Sequence, residues 1–337
     1  MAKNKFAPRT SPPSRRSHNN PVGHVIGIDI GATNMRIALA DTNGTVLAKW
    51  ATSTKRTSSP KMVIQQIGTG VNHLFRQASV PRGSLLAVAA GAPGITDGDA
   101  GLVFATSFLK GWKNVPFARL LESALHVPAA VENDVKLAAL GEHWLGSARG
   151  NGNFVFLALG TGIAAGIFVN GQLVRGTNYA AGEVGYMVVP GTSEAPVKHG
   201  MPGSLESVIG GDGIGKQWLR ACNGTQNSQP RDLNATEIFA RAASGDRFAK
   251  SVLDHSARIL AYAVYNISVV LNSSLFVLGG GIGMSVPLLK ATRKILKQYD
   301  EPALPKLITS RLGQDAQLMG AIRLAMDKSE SHTTSRS

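Results

Sequence analysis

The feature that most constrains this fold is a β-unit that occurs twice in the chain. Each copy is an apolar strand, a turn rich in Gly and Thr, a second strand, an Asn-Gly turn and a third strand. In the first copy the strands span residues 25–30, 35–40 and 45–52. In the second copy they span residues 154–159, 163–169 and 172–174. Because an Asn-Gly pair between two strands signals a hairpin, the sequence predicts two similar α/β lobes that face each other across a cleft.

The length of the chain fits such a pair of lobes. It has 337 residues, of which 43% are hydrophobic, enough for two cores of ordinary size. We expect an N-terminal α/β lobe over residues 22–133, completed by a C-terminal helix over 314–327, and a larger C-terminal lobe over 134–313. Residues 1–21 are rich in Pro, Ser, Arg and Asn, and we predict that they form a disordered basic tail and that 328–337 form a second disordered tail.

Composition narrows the classes of function. The formal net charge of +14 is compatible with a phosphate-rich substrate, and a solvated basic surface without a specific ligand is an equal alternative. The sequence contains no basic motif interleaved with aromatic residues, so we predict no nucleic-acid partner. The single cysteine, Cys222, excludes an internal disulfide framework. Because the longest apolar stretch, residues 259–277, contains two asparagines and no signal peptide is evident, we expect a cytoplasmic protein without a membrane segment.

Three glycine-rich turns at strand ends are candidates for nucleotide binding. At the first, Asp29 faces a magnesium ion while backbone N–H groups and the Thr33 hydroxyl point at phosphate oxygens. The second, at residues 160–162, repeats this chemistry from the other lobe. The third, at residues 279–281, lets a base and ribose approach the backbone. A tight turn is the alternative for each one alone, and their repeated placement favours the nucleotide. The predicted residues are Asp29, Gly31, Ala32, Thr33, Asn34, Arg36, Gly160, Thr161, Gly162, Gly279, Gly280 and Gly281.

Carboxylates mark the side of the cleft that would hold a sugar. Asp134 ends an apolar segment and begins a helix, so it is a candidate N-cap whose carboxylate points into the cleft. Phosphoryl transfer needs one carboxylate that accepts the proton of the attacking hydroxyl, and capping does not exclude that task. Asn133 would hold neighbouring hydroxyls through its amide. Glu183 and Glu206 lie beside glycines and could accept bonds from a hexose, although solvated surface glutamates are the commoner case.

These residues resemble the ROK family (repressors, open reading frames and kinases), which belongs to the superfamily of actin and hexokinase. The resemblance runs from about Val25 to Met326. It rests on DIGATNMR at 29–36, GAPG at 91–94, GW at 111–112, END at 132–134, LGTG at 159–162, AGEVGY at 181–186, GSLE at 203–206, LGGG at 278–281 and LGQDA at 312–316.

The resemblance implies an α/β, actin-like ATPase fold of the ribonuclease H type and a homodimer. It implies phosphorylation of a hexose at its 6-hydroxyl by ATP and Mg²⁺, with Asp134 as the catalytic base. The sugar would be held by Gly91, Asn133, Asp134, Glu183, Tyr186 and Glu206. Repressors of the family carry a further N-terminal DNA-binding domain, and only 24 residues precede the first strand here. Because that length is too short for a helix-turn-helix unit, we expect the kinase branch.

Three departures from the family pattern concern the sugar site and zinc. Tyr186 replaces the usual histidine, Phe108 lies where an asparagine is usual, and residues 190–204 lack the usual cysteine cluster. A closed zinc site needs four ligands, usually including thiolates, so we expect no structural zinc. The hexose stays open, with a glucose-type sugar first and mannose, allose, fructose and an acylamino sugar as alternatives.

Two further functions stay open. One is a glucose or mannose kinase that uses polyphosphate as well as ATP, which the positive charge motivates. The other is a non-catalytic sugar sensor that has kept the fold. A sensor would have no need of a base, so the presence of Asp29, Asn133 and Asp134 favours the enzyme.

Overall fold

The computed structural model describes most of the chain, namely residues 23–31, 33–54, 59–106, 109, 111–198, 201–222, 232–299 and 304–334. Ala32 of the first predicted phosphate turn and Phe108 lie outside these residues. So do the predicted N-terminal tail, residues 1–21, and the last three residues of the chain.

The elements alternate between strands and helices, as the sequence predicts. The strands are β1 (His24–Ile30), β2 (Asn34–Asp41), β3 (Val46–Ser53), β4 (Leu85–Ala92), β5 (Ile95–Asp97), β6 (Leu102–Ala105), β7 (Lys113–Val115), β8 (Ala129–Asn133), β9 (Phe154–Leu159), β10 (Ile163–Val169), β11 (Gln172–Leu173), β12 (Leu275–Gly279) and β13 (Lys306–Thr309). The helices are α1 (Pro60–Gln77), α2 (Phe117–Leu125), α3 (Asp134–Trp144), α4 (Glu206–Ile209), α5 (Gly211–Cys222), α6 (Ala235–Ala243), α7 (Arg247–Leu271), α8 (Gly280–Gly283), α9 (Val286–Leu296) and α10 (Ala316–Thr334).

The two lobes are built on sheets of the same topology. The first sheet has the order β3-β2-β1-β4-β8, and the second has the order β11-β10-β9-β12-β13. In each, the first three strands are antiparallel neighbours and the next two run parallel to the central strand. The predicted duplication is therefore confirmed, and each of its six predicted strands agrees with the structure to within one residue at either end. The small sheet β5-β6-β7 was not predicted, because its strands have only three or four residues.

Helices α3 and α10 lie between the two large sheets and hold the start of α3 in place. Helix α3 packs on β9 and β10 through a core that includes Ala138, Phe154 and Phe168. Helix α10 packs on the inner face of the first sheet through Leu318 and Ile322. The two helices cross closely, since a Cβ on Gly141 would overlap the carbonyl oxygen of Ala316. This crossing holds the first turn of α3 rigidly against both lobes.

The C-terminal helix is longer than the sequence predicts. It was expected over 314–327, with a disordered tail from residue 328, but α10 continues to Thr334. The expectation of disorder is wrong for residues 328–334, which continue the helix and whose hydroxyl groups donate to carbonyls three or four residues back. The hydroxyl of Ser329 donates to the carbonyl of Met326 (2.8 Å) and that of Thr334 to Glu330 (3.2 Å). From its packing on the first sheet, we propose that α10 is part of the N-terminal lobe.

The outer faces of the sheets carry the remaining cores. Helices α1 and α2 cover the first sheet, and α5, α6, α7 and α9 cover the second. Helix α7 is the longest of these, with 25 residues. Among the described residues, none of the helices combines the length and apolarity that a membrane crossing needs.

Candidate active site

The parallel strands of the first sheet bring the predicted site residues to one edge. In the register of the sheet, Asp29 on β1 lies beside Gly91 on β4, and Gly91 lies beside Glu132 on β8. Asp134 follows β8 directly as the first residue of α3. A Cβ on Gly91 would come within 2.9 Å of Leu137 Cδ1 and 3.6 Å of the Asp134 Cα. The small size of Gly91 is therefore needed for packing of α3 on β4.

The cap of α3 is Asn133, and Asp134 lies just inside the helix as its first residue. The Asn133 Oδ1 accepts hydrogen bonds from the N–H groups of Val135 and Lys136, both at 3.0 Å. Its Nδ2 donates to the carbonyl of Gly94 at 2.9 Å. The amide oxygen is thus occupied by the fold, and an amide hydrogen is what Asn133 has left for a sugar hydroxyl. Because Asn133 caps the helix, the carboxylate of Asp134 is not needed for capping and is available for chemistry.

Asp134 has the electrostatics of a base that works near neutral pH. It is half-buried, and its Oδ1 accepts a hydrogen bond from the N–H of Val135 at 2.9 Å. Burial, and then the neighbouring carboxylates of Asp29 and Glu183, raise the pKa of Asp134 to about 7. A general base is most effective when its pKa lies near the working pH. Asp134, Asp29 and Glu183 therefore form one electrostatically coupled group.

Asp29 forms an ion pair with Arg36. The sequence analysis predicted both residues in the nucleotide site but did not predict that they bind each other. The Arg36 guanidinium donates to Asp29 Oδ2 from Nε at 3.0 Å and from a terminal nitrogen at 2.5 Å. Burial raises the pKa of Asp29, and Arg36 opposes that effect. Arg36 also lies 3.6 Å from Asp315, which binds Lys49 Nζ at 2.7 Å. Lys49 and Asp315 were not predicted, since they join the group only through the packing of α10 on the sheet.

The residues around Asp29 fit a magnesium ion that is shared with a nucleotide. Mg²⁺ is usually held by one or two carboxylates together with substrate phosphates and water. Arg36 bonds to Oδ2 of Asp29, and burial raises the pKa of Asp29, so a cation at the other carboxylate oxygen would stabilise the ionised form. No group of three or more His, Cys, Asp or Glu side chains among the described residues could hold a metal by itself. The absence of structural zinc stays a prediction, because His199 in the relevant loop is outside the described part of the chain.

The two predicted phosphate turns are closed in the same way. The N–H of Gly31 donates to the carbonyl of Asn34 at 2.8 Å, and the N–H of Gly160 donates to that of Gly162 at 3.0 Å. These amides are therefore used within the turns, and the groups left for phosphate are the later amides and the hydroxyls of Thr33 and Thr161. The Thr33 hydroxyl already accepts a bond of 3.3 Å from Asn34 Nδ2. Gly160 is open to the cleft, since a Cβ there would meet nothing within 4 Å.

The three glycines at and after the end of β12 differ in what a side chain at each position would contact. A Cβ on Gly279 would overlap the ring of Phe156, so this glycine is needed for core packing. Gly280 has φ of +76° and a Cβ there would overlap the carbonyl oxygen of Leu159, so it is needed for the turn. A Cβ on Gly281 would meet nothing within 4 Å. Gly281 alone of the three therefore offers open backbone to a ligand.

Glu206, the second predicted sugar carboxylate, lies against the turn that follows Glu183. Glu206 begins α4, and its Oε2 accepts a hydrogen bond from the N–H of Ile163 at 2.8 Å. Burial raises the pKa of Glu206, against that hydrogen bond. A Cβ on Gly185 would come within 3.3 Å of Glu206 Oε2, which puts Glu206 against the short helical turn that follows Glu183. Tyr186 closes this turn and is 39% exposed, so its ring is available to a ligand.

Two further cations near the site, Arg175 and Lys136, were missed by the sequence analysis. Arg175 Nε donates to the buried Glu132 Oε2 at 2.6 Å, and Lys136 Nζ donates to the carbonyl of Tyr179 at 2.6 Å. The usable signal was Lys136, a cation that follows the Asn-Asp pair at a helix start and directly precedes the apolar residues 137–140. Each pair joins residues 43 positions apart, so only the folded chain reveals the partners.

Known proteins share both the sequence pattern and the fold. A profile described as the ROK family matches residues 25–328. A glucokinase from Halalkalibacterium halodurans is 30% identical over 308 residues, covering 88% of this chain and 92% of its own. The crystal structure of a ROK family glucokinase from Streptomyces griseus in complex with glucose and AMPPNP is 25% identical with a TM-score of 0.74, and the match covers 90% of this chain and all of that one.

A regulator also has this fold. The structure of a ROK family transcriptional regulator, a homologue of the E. coli MLC protein, superimposes with a TM-score of 0.79 at 23% identity. The match covers 92% of this chain and 80% of that one. At this identity the likeness concerns the fold alone. Together with the kinase structures, it confirms the predicted actin-like ATPase fold.

Proposed function

Since this chain belongs to the ROK family, we propose that it is a sugar kinase that transfers the terminal phosphoryl group of ATP to the 6-hydroxyl of a hexose. The observation that carries this proposal is the environment of Asp134. A carboxylate with a pKa of about 7 at the start of α3, between Asp29 and Glu183, has the properties of a base for a hydroxyl nucleophile.

In this proposal the sugar lies between the lobes, with its 6-hydroxyl against Asp134. Glu183 and Glu206 accept hydrogen bonds from the sugar hydroxyls, and Asn133 contributes the amide hydrogen that capping leaves free. Gly91 and Tyr186 complete the predicted sugar side. The Asp134 carboxylate takes the proton of the 6-hydroxyl as the oxygen attacks phosphorus, and the closed cleft excludes water as a competing acceptor.

The nucleotide lies on the glycine-rich turns of both lobes. The turns at residues 31–34 and 160–162 hold the phosphates, and Gly281 gives the adenosine close access to the backbone. Asp29 would hold the magnesium ion, which supplies neutralisation of the phosphate charge. Arg36 bonds to Asp29, and Asp315 joins Arg36 to Lys49, so these residues would surround the ion and fix the carboxylate that holds it.

The charge of the chain supports a second donor. Inorganic polyphosphate is a longer polyanion than a triphosphate, and the formal net charge of +14 favours such a partner. A hexose kinase that accepts both ATP and polyphosphate is therefore the alternative within the enzymes. A cytoplasmic location and a homodimer stay predictions.

An assay of phosphoryl transfer across donors and acceptors tests the proposal. Glucose, mannose, allose, fructose and an acylamino hexose are each offered with ATP or with polyphosphate, and Asp134→Asn is the control. Turnover with at least one hexose that is lost in Asp134→Asn supports the kinase. Binding of a hexose by calorimetry without turnover for any pair would support the sensor instead, and would overturn the proposal.

A further inference from the structure

Residues 175–183, which we name the bridging loop, belong to the second lobe and contact the first lobe. Both of its ends are fixed in the second lobe. Val174, just before it, donates its N–H to Ile167 at 2.8 Å, and Gly182 accepts a bond from the N–H of Ala165 at 2.7 Å. Its last residue is Glu183, which is proposed to bind the sugar.

The middle of the bridging loop is held by the first lobe. Arg175 forms the ion pair with Glu132 on β8, and the interaction with Asp97 on β5 raises the pKa of the Tyr179 hydroxyl. The Tyr179 ring centroid lies 6.0 Å from that of Phe104 on β6. The loop is therefore set in place by contacts from both sides of the cleft.

Lys136 makes the most enclosed of these contacts. Its side chain is almost fully buried, with 3% of the residue exposed, and Nζ donates to the carbonyl oxygen of Tyr179 at 2.6 Å. Tyr179 has φ of +59°, a conformation that residues with a Cβ rarely adopt and that must be held by their surroundings. The hydrogen bond from the ammonium group of Lys136 to the Tyr179 carbonyl oxygen stabilises this backbone conformation.

The charges around Lys136 are balanced. Glu132 and Glu183 are negative, and Arg175 and Lys136 are positive. Burial lowers the pKa of Lys136, while Glu132 and Glu183 raise it and Arg175 lowers it further. Removing the ammonium group would leave two carboxylates and one guanidinium in an enclosed region. The uncompensated negative charge would disfavour the observed position of the Glu183 carboxylate.

We propose that Lys136 is a positioning residue for sugar binding, which acts by fixing the backbone of the bridging loop and through it the carboxylate of Glu183. Only three residues lie between Tyr179 and Glu183, in a tight turn in which the N–H of Glu183 donates to the carbonyl of Ala180 at 3.3 Å. A shift of Tyr179 is therefore transmitted to Glu183. The inference rests on the proposed role of Glu183 in holding the sugar.

Lys136→Met keeps most of the side-chain stem and removes the charge. We expect its KM for the sugar to rise about tenfold or more, as for the loss of a buried hydrogen bond to a charged group. Because Glu183 holds the sugar in both the ground state and the transition state, kcat should stay within about threefold, and KM for the nucleotide within about twofold. Lys250→Met, on the exposed face of α7, is the matched control and should change neither constant.

A double variant separates positioning from a general loss of structure. If Lys136 acts through Glu183, then Lys136→Met should add little to Glu183→Gln, and the sugar KM of the double variant should equal that of Glu183→Gln within about twofold. Effects that multiply would overturn the proposal. So would an unchanged sugar KM in Lys136→Met that melts as a folded protein.

Two measurements keep the test decisive. If Lys136→Met does not fold, Lys136→Gln replaces it, because Gln lacks the charge and is one bond too short to reach the Tyr179 carbonyl as the lysine does. Its sugar KM should also rise, and an unchanged value overturns the inference. If the parent protein shows no turnover, the proposed function fails, and sugar Kd values from calorimetry on the same variants decide the role of Lys136 separately.

Discussion

The pH dependence of catalysis can be worked out from the surroundings of Asp134. Burial and the Asp29 and Glu183 carboxylates raise its pKa from 3.8 to about 7. The base accepts a proton only when it is ionised, so kcat/KM for the sugar should fall as the pH falls through 7. With this pKa about half of the molecules are ionised at pH 7 and about 1 in 100 at pH 5. The expected loss between these two pH values is therefore about 50-fold.

The assay is kcat/KM for the hexose from pH 5 to pH 9 at saturating ATP and magnesium. Glu183→Gln supplies an internal comparison, because it removes one of the negative charges that raise the pKa of Asp134 and leaves the titration of the nucleotide unchanged. Its midpoint should lie at lower pH than that of the parent. A parent profile that stays flat down to pH 5 is what an ordinary carboxyl would give, and it would refute the reasoning. So would a midpoint that Glu183→Gln does not move.

Four other predictions concern the catalytic base, two glycines and zinc. Asp134→Asn should lower kcat by about 10²- to 10⁴-fold while sugar binding by calorimetry survives, and a kcat within threefold of the parent would contradict the role of Asp134. Gly280→Ala should cost about 1–3 kcal/mol of unfolding free energy in urea, since φ is +76° and a Cβ would overlap the carbonyl oxygen of Leu159. Gly281→Ala is its matched control: unfolding should change by less than about 0.5 kcal/mol, and KM for ATP should rise, so an unchanged KM would remove adenosine from this position. Elemental analysis of protein purified without chelator should find well under one zinc per chain, and a stoichiometric amount would reveal a missed site.

The sequence by itself determined the repeated architecture. Strand alternation, the two Asn-Gly turns and the glycine-rich turns are local signals, and each depends on residues within about ten positions of one another. They gave the six strands of the duplicated unit and the start of α3 to within one residue. Asp134 was found in the same way, because a carboxylate at a helix start is visible in the chain itself.

Tertiary structure decided which groups act on those residues. Asn133 caps α3 because β8 delivers its side chain to the helix N–H groups and to Gly94, 39 residues away. The last helical turns of α10 and the small sheet β5-β6-β7 were likewise beyond local patterns.

The pKa of Asp134 is the clearest case of a property that only the folded chain sets. Asp29 is 105 positions before it and Glu183 is 49 positions after it, counting along the chain. Both carboxylates act on Asp134 because two separate lobes bring them to the same buried cleft. A sequence pattern can identify a carboxylate, but its proton affinity depends on burial and on charges that arrive through space.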